Sequence, residues 1–162
     1  MERLWAPWRI EYILSKKTEG CIFCLYPQQT DDRDSLILHR SSRTFVMLNR
    51  YPYTNGHLLV APYRHIPDLN NLAAEELLEL MTTVRLCCNV LQEKAAPQGF
   101  NIGMNLGKAA GAGVDDHLHM HIVPRWNGDT NYMSVIDDVR VMPENLLATY
   151  DALYPGFAAV SG

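Results

Sequence analysis

One stretch constrains this chain more than any other: Asp115-Asp116-His117-Leu118-His119-Met120-His121-Ile122-Val123-Pro124-Arg125. Histidines alternate with apolar residues here, and a side-chain period of two is that of a half-buried β-strand. His117, His119 and His121 therefore share one face, while Leu118, Met120 and Ile122 share the other. One face supplies core and the other chemistry. Three of the six histidines fall within five residues, and imidazole can act at neutral pH as nucleophile, proton carrier or metal ligand. A functional site explains such clustering better than a merely solvated strand face does.

The chain has 162 residues, 48% hydrophobic and 20% charged, which suits one domain with a real core. Its net charge of -4 gives no bulk attraction for nucleic acid, so a phosphate-bearing ligand must be met by local positive charge and oriented amides. That ligand is expected to be small. Met1 to Ile10 mixes Glu2, Arg3 and Arg9 with Trp5, Trp8 and Pro7, unlike a signal peptide or a spanning helix, and no later apolar run approaches the length of one. A cytoplasmic protein with no membrane contact is expected. The cysteines stand as Cys21-x-x-Cys24 and Cys87-Cys88, a poor disulfide framework, so reduced thiols are expected.

In chain order, the aromatic stretch Trp5 to Ile13 reads as an arm that docks on the domain or on a neighbouring subunit, or as a local hydrophobic staple. Gly20-Cys21-Ile22-Phe23-Cys24 is a short knuckle carrying two thiols. Ser35 to Arg40 and Arg43 to Leu48 read as a hairpin, and Gly56 to Pro62 as a third strand. One long helix is expected over about Ala73 to Lys94, with Leu77, Leu78, Met81, Val84, Leu86, Cys88 and Leu91 as its apolar face. Glu75, Glu76 and Glu79 suit the positive end of its dipole. Pro97-Gln98-Gly99 breaks the helix, and Phe100 to Asn105 reads as the fourth strand. Gly107 to Gly113 is a small-residue loop whose amides could cradle phosphate. A second helix is expected from Pro143-Glu144 to about Leu153, with Tyr154 to Gly162 irregular. The organisation expected is an arm over 1–20, a domain core over 21–126 and an extension over 127–162 packed on the same domain.

The run His117-Leu118-His119-Met120-His121-Ile122-Val123, the strand Asn55-Gly56-His57-Leu58-Leu59-Val60-Ala61-Pro62, Asn105 ahead of a small-residue loop, and Pro124-Arg125 stand in the order shown by the histidine triad (HIT) superfamily, which this chain resembles from about Cys21 to Arg125. The resemblance implies an α+β fold, with an antiparallel sheet of about five strands, one long helix and a C-terminal helix. It implies a homodimer. It also implies nucleotidyl transfer, with His119 attacking the α-phosphate of a purine nucleotide or dinucleoside polyphosphate while His121 and His57 donate hydrogen bonds to phosphate oxygens. Asn49, Asn105, Gly107 and Gly113 are the substrate contacts it implies; the alternative for Asn105 is a residue that only ends its strand. Many members carry a glutamine four residues before the first histidine, whereas this chain has Gly113 in a loop one residue longer.

Cys21-x-x-Cys24 is half of a tetrahedral zinc site, and two imidazoles could complete it. His65 and His117 are the choice implied by zinc-binding members of the family; His39 is the rival ligand, and two buried thiols without metal are the alternative. Such a zinc would be structural, and no organic cofactor is expected. Cys87 and Cys88 are read as packing within the helix. The N-terminal tryptophans, the Gly20 to Cys24 knuckle, Asp115-Asp116 and the segment Pro124 to Tyr132 resemble the bacterial diadenosine tetraphosphate phosphorylase branch, which splits its substrate with inorganic phosphate to ATP and ADP. Arg125, Asn127 or Lys108 could hold the incoming phosphate or could be solvated surface groups. The alternatives are a hydrolase of dinucleoside polyphosphates or adenosine phosphoramidates that releases AMP, and a purine-nucleotide binding module with little catalysis.

Overall fold

The computed structural model describes residues 20–110, 117–129 and 144–160. The aromatic arm, Gly113, Asp115-Asp116 and Pro143 lie outside these residues. Five strands form one antiparallel sheet: β1 (Ile37–Arg40), β2 (Thr44–Leu48), β3 (Leu58–Pro62), β4 (Gly99–Gly103) and β5 (Met120–Arg125), in the order β1-β2-β3-β5-β4. Among the described residues three α-helices accompany it: a single turn α1 (Ile22–Leu25), the long α2 (Ala74–Ala95) and α3 (Leu146–Ala158). This is the expected α+β arrangement, and no helix among the described residues is long and apolar enough to cross a membrane.

The period-two pattern sorts the sheet into two faces. On one, Leu38, Val46, Leu58, Val60, Met120 and Ile122 pack against α2 and α3 in the main core. On the other, Ile37, Phe45, Met47, Leu59 and Ala61 form a smaller core with Phe23 of α1. The histidine face is thus half covered by its own apolar cluster.

Three expectations need correction. The buried stripe of α2 is Leu80, Thr83, Val84, Cys87, Val90 and Leu91, not the face through Leu77, Leu78 and Met81, which are 38%, 68% and 52% exposed. Both stripes have helical spacing, and only contact with the sheet selects between them. The second correction concerns α3, which runs to Ala158 through Pro155 instead of stopping near Leu153. Pro155 forfeits one backbone bond near the helix end, but its continuation buries Phe157 completely. It also sets Gly156 where an added Cβ would lie 2.8 Å from Val90, so a glycine is what allows α3 to approach α2. At its other end Asn145 caps the helix by accepting from the Leu147 amide at 2.9 Å. Third, strand pairing of β5 begins at Met120, so His117 and His119 precede the ladder, and β4 ends at Gly103, short of Asn105.

Glu79 ties α2 to the β1–β2 hairpin. Its carboxylate accepts from Ser42 Oγ and the Arg43 amide at 2.6 Å and from the Thr44 amide at 3.0 Å. Burial alone would raise its pKa, but these bonds override it and bring it down to about 2. Glu79→Ala strands two backbone donors at once, and an expected loss of about 2 kcal/mol is measurable by urea denaturation. An unchanged midpoint would show that water replaces the carboxylate at no cost.

Candidate active site and metal centre

β3 and β5 lie side by side with Leu59 opposite His121, and His57 enters β3 on the same face. Gly56 makes that entry possible: its φ is +73°, and a Cβ there would meet Leu91 at 3.1 Å. A side chain would face both a left-handed backbone and the core.

The histidine tautomers follow from their partners. The Tyr53 amide donates to His57 Nδ1 at 3.1 Å, and Asn49 Nδ2 reaches the same nitrogen at 3.3 Å. His57 Nδ1 is therefore an acceptor, and its proton sits on Nε2, which donates to His121 Nδ1 at 3.0 Å. The proton of His121 is in turn placed on Nε2. That atom is buried and has no hydrogen-bond partner among the described residues. A buried N–H of this kind calls for an acceptor.

His119 reads the same way. Its Nδ1 lies 2.8 Å from the His117 carbonyl, so Nδ1 carries the proton and Nε2 keeps a lone pair. The His119 and His121 rings sit edge to face with centroids 4.9 Å apart. A lone pair and an unpaired donor thus stand side by side, the arrangement needed to attack a phosphorus while holding one of its oxygens. Burial lowers the pKa of His119, outweighing the bond to the His117 carbonyl, which raises it. Burial and the neighbouring His119 bring His121 down to about 4. Both are neutral at pH 7.

That shift fixes a pH dependence of stability. Folded His121 stays neutral to about pH 4, whereas an unfolded histidine takes its proton near 6.5. The unfolded chain binds more protons between these values, so stability is lost as pH falls through 6.5 and the loss is complete below 4. With solvent screening the contribution is on the order of 2 kcal/mol. Denaturation of wild type and His121→Asn at pH 7 and pH 5 checks it: the variant should lose less stability, and parallel losses would refute the assignment.

The third histidine turns elsewhere. His117 Nε2 donates to the Pro62 carbonyl at 2.8 Å, which leaves Nδ1 free, 3.3 Å from Cys21 Sγ and 3.6 Å from Cys24 Sγ. His65 Nδ1 lies 3.4 Å from Cys24 Sγ. The donor atoms of Cys21, Cys24, His65 and His117 all fall within 4.8 Å of one another, a cluster that could bind a metal ion. Sulfur and nitrogen ligands of one tetrahedral zinc stand about 3.6 Å apart, so the spacing fits. The tautomer fits too, because an imidazole that donates its other N–H to a carbonyl is oriented for ligation. Burial and the adjacent Cys21 push the Cys24 thiol up, an opposition that a dication would reverse.

The structure therefore brings together His57, His119 and His121, and separately gathers the four expected metal donors. His39, the rival ligand, lies in β1 against Phe157 of α3, with ring centroids 6.0 Å apart, and is not among the clustered donors. Asn49 turns its amide inward: Oδ1 accepts from the Tyr51 amide at 2.9 Å while Nδ2 faces His57. Asn105 is half-buried two residues past Gly103, the strand partner of His121, and Gly107 turns the chain with φ +77°. Arg125 forms a two-pronged pair with Asp129 at 2.6 and 2.8 Å and reaches Asn101 of β4 at 2.9 Å, so its guanidinium is committed within the protein. Two aromatic neighbours have no signal in the pattern of the chain. Phe23, between the cysteines, places its ring 4.6 Å from His119, and Tyr53, in the turn before His57, stacks on His121 at 6.0 Å.

Comparison with known proteins accords with this geometry. Residues 30–128 match the HIT domain family. A protein named AP-4-A phosphorylase from Mycobacterium tuberculosis is 37% identical over 158 residues, covering 92% of this chain and 80% of that one. The asymmetrical bis(5'-nucleosyl)-tetraphosphatase of Schizosaccharomyces pombe is 36% identical over 95 residues, 59% of this chain and 52% of its own. Among solved structures, a Zn-bound histidine triad family protein from Mycobacterium smegmatis has a TM-score of 0.69 and 25% identity, covering 88% of this chain and 96% of that chain. With its sheet, its alternating histidines and these relatives in agreement, the chain belongs to the HIT domain family.

Proposed function

We propose that this protein is a nucleotidyl-transferring enzyme that splits diadenosine tetraphosphate with inorganic phosphate, giving ATP and ADP. The observation that carries the reading is the pairing of the His119 Nε2 lone pair with the unpartnered N–H of His121. His119 Nε2 attacks the α-phosphorus, the bond to the bridging oxygen breaks and ATP leaves, and adenylate remains on the imidazole. A phosphate oxygen then attacks the same phosphorus, the P–N bond breaks and ADP departs. The His121 Nε2–H holds a phosphate oxygen in both steps, with His57 fixing its tautomer. Water in place of phosphate gives AMP, the hydrolase outcome. The identity to the mycobacterial phosphorylase, across most of both chains, favours phosphate as acceptor.

The reading includes zinc held by Cys21, Cys24, His65 and His117, where it ties the N-terminal knuckle to the histidine segment. It includes a homodimer and a cytoplasmic location, the latter supported by four cysteines none of which forms a disulfide. Incubating the protein with diadenosine tetraphosphate, with and without phosphate, tests the reaction. ATP plus ADP formed only with phosphate is expected. AMP without phosphate would replace the reading by hydrolysis, and binding without turnover would replace it by a nucleotide-binding module.

A further inference from the structure

His119 lies one residue before the ladder begins at Met120, so sheet hydrogen bonds do not hold the nucleophile in place. Other contacts do. The Leu118 amide donates to the Ile66 carbonyl at 2.7 Å, and His119 Nδ1–H donates to the His117 carbonyl at 2.8 Å. His117 is itself one of the four clustered metal donors. Two rings flank the His119 imidazole: His121 stands edge to face with centroids 4.9 Å apart, and Phe23, 1% exposed, lies flatter against it, 4.6 Å from His119 at 32° and 5.3 Å from His117 at 46°. Phe23 stands on the single turn α1 between Cys21 and Cys24, whose sulfurs are two further donors of that cluster. A helix of four residues cannot hold a ring in place by itself.

One hydrogen bond at Nδ1 sets the tautomer of His119 but leaves its ring free to swing, because the outer torsion of histidine has a broad, shallow minimum. A flat ring packed on one side of the imidazole removes that freedom. We infer that Phe23 is a positioning residue for nucleotidyl transfer: the metal-binding knuckle seats its ring on the His119 imidazole, and ring and His117 carbonyl together hold Nε2 toward the phosphorus. The metal centre and the nucleophile are then one mechanical unit joined through Phe23 and His117. This inference rests on the nucleotidyl-transfer reading for its rate effect, and on the structure alone for the orientation of the ring.

The test is Phe23→Leu in the full chain, a change that keeps an apolar side chain but loses the flat face. Metal content should stay at the wild-type value and KM for diadenosine tetraphosphate should change less than about two-fold, since Phe23 is assigned no part in binding. Formation of protein-bound adenylate in a single turnover should slow by about 10- to 100-fold, the cost of a small misplacement of a reacting atom. Imidazole 15N and ring-proton spectra supply a readout independent of activity: wild-type His119 should show protonated Nδ1, bare Nε2 and sharp ring signals, and Phe23→Leu should keep that tautomer but show ring signals averaged by motion. A wild-type rate with unchanged ring signals would overturn the inference. If Phe23→Leu loses metal or unfolds, the wild-type protein decides: chelating its metal should average the His119 signals, and an unchanged signature after complete metal removal would overturn the inference. If wild type forms no adenylate, the reaction assigned above fails, and the ring-signal comparison then decides the positioning role alone.

Discussion

His119→Ala is expected to abolish turnover of diadenosine tetraphosphate, by on the order of 10⁴-fold or more, while leaving the fold intact. The size follows from the chemistry. Without an imidazole there is no covalent intermediate, and both acceptors must attack the dinucleotide directly. His121→Ala should cost less, about 10²- to 10³-fold, because it removes a hydrogen-bond donor to the phosphate and not the attacking atom. The gap between the two variants is the diagnostic. Equal losses would mean that the histidines act as one acid–base pair without a covalent step, and ordinary turnover by His119→Ala in a preparation free of contaminating activity would end the assignment. The fold should tolerate the change because His119 stands before the β5 ladder, so its removal breaks no strand pairing, and circular dichroism should match wild type.

The other large effect is expected at the metal centre. Cys21→Ser combined with Cys24→Ser removes two of four donors and should abolish bound zinc. A metal that binds the folded chain and is present at roughly 1,000 times its dissociation constant stabilises it by about 4 kcal/mol. For a domain of this size the loss corresponds to a fall in melting temperature on the order of 10 °C. Metal analysis and a thermal melt read the two consequences together. Wild-type protein purified without zinc, or a double variant that melts with wild type, would remove zinc from the picture and leave two half-buried thiols in its place. The expected loss reflects position: α1 and its knuckle carry Phe23 into the smaller core, while His65 and His117 anchor the far side, so without metal the knuckle loses a tie to the histidine segment.

Much of this was legible in the chain. Alternation over Leu118 to Ile122 correctly divides the sheet into a helix-covered face and a histidine face, because side-chain direction in an extended chain depends only on parity. Leu118, Met120 and Ile122 do fall in the main core, although the ladder itself begins only at Met120. The hairpin, the third strand and the long helix were readable from local propensity within one or two residues. The phase of the long helix was not, since Leu77, Leu78 and Met81 are as apolar as the residues that became buried, and nothing within the helix says which stripe meets the sheet. Nor was the continuation of α3 through Pro155, where a local cost is outweighed by burial of Phe157 against distant elements.

For the site, the sequence by itself determined the inventory: three histidines on one face, a fourth behind Gly56, and two thiols at zinc spacing. Those are facts of residue type and interval. The tertiary structure decided what each nitrogen does. His117 commits its Nε2–H to the carbonyl of Pro62, 55 residues away, and so turns the Nδ1 lone pair to the sulfurs. His57 accepts from the Tyr53 amide at Nδ1 and so donates from Nε2 to His121, 64 residues on. His65, and not His39, reaches the cysteines, and Phe23 closes on the nucleophile. An imidazole is donor or acceptor according to its neighbour, and neighbours across a fold are set by packing, which no local interval records.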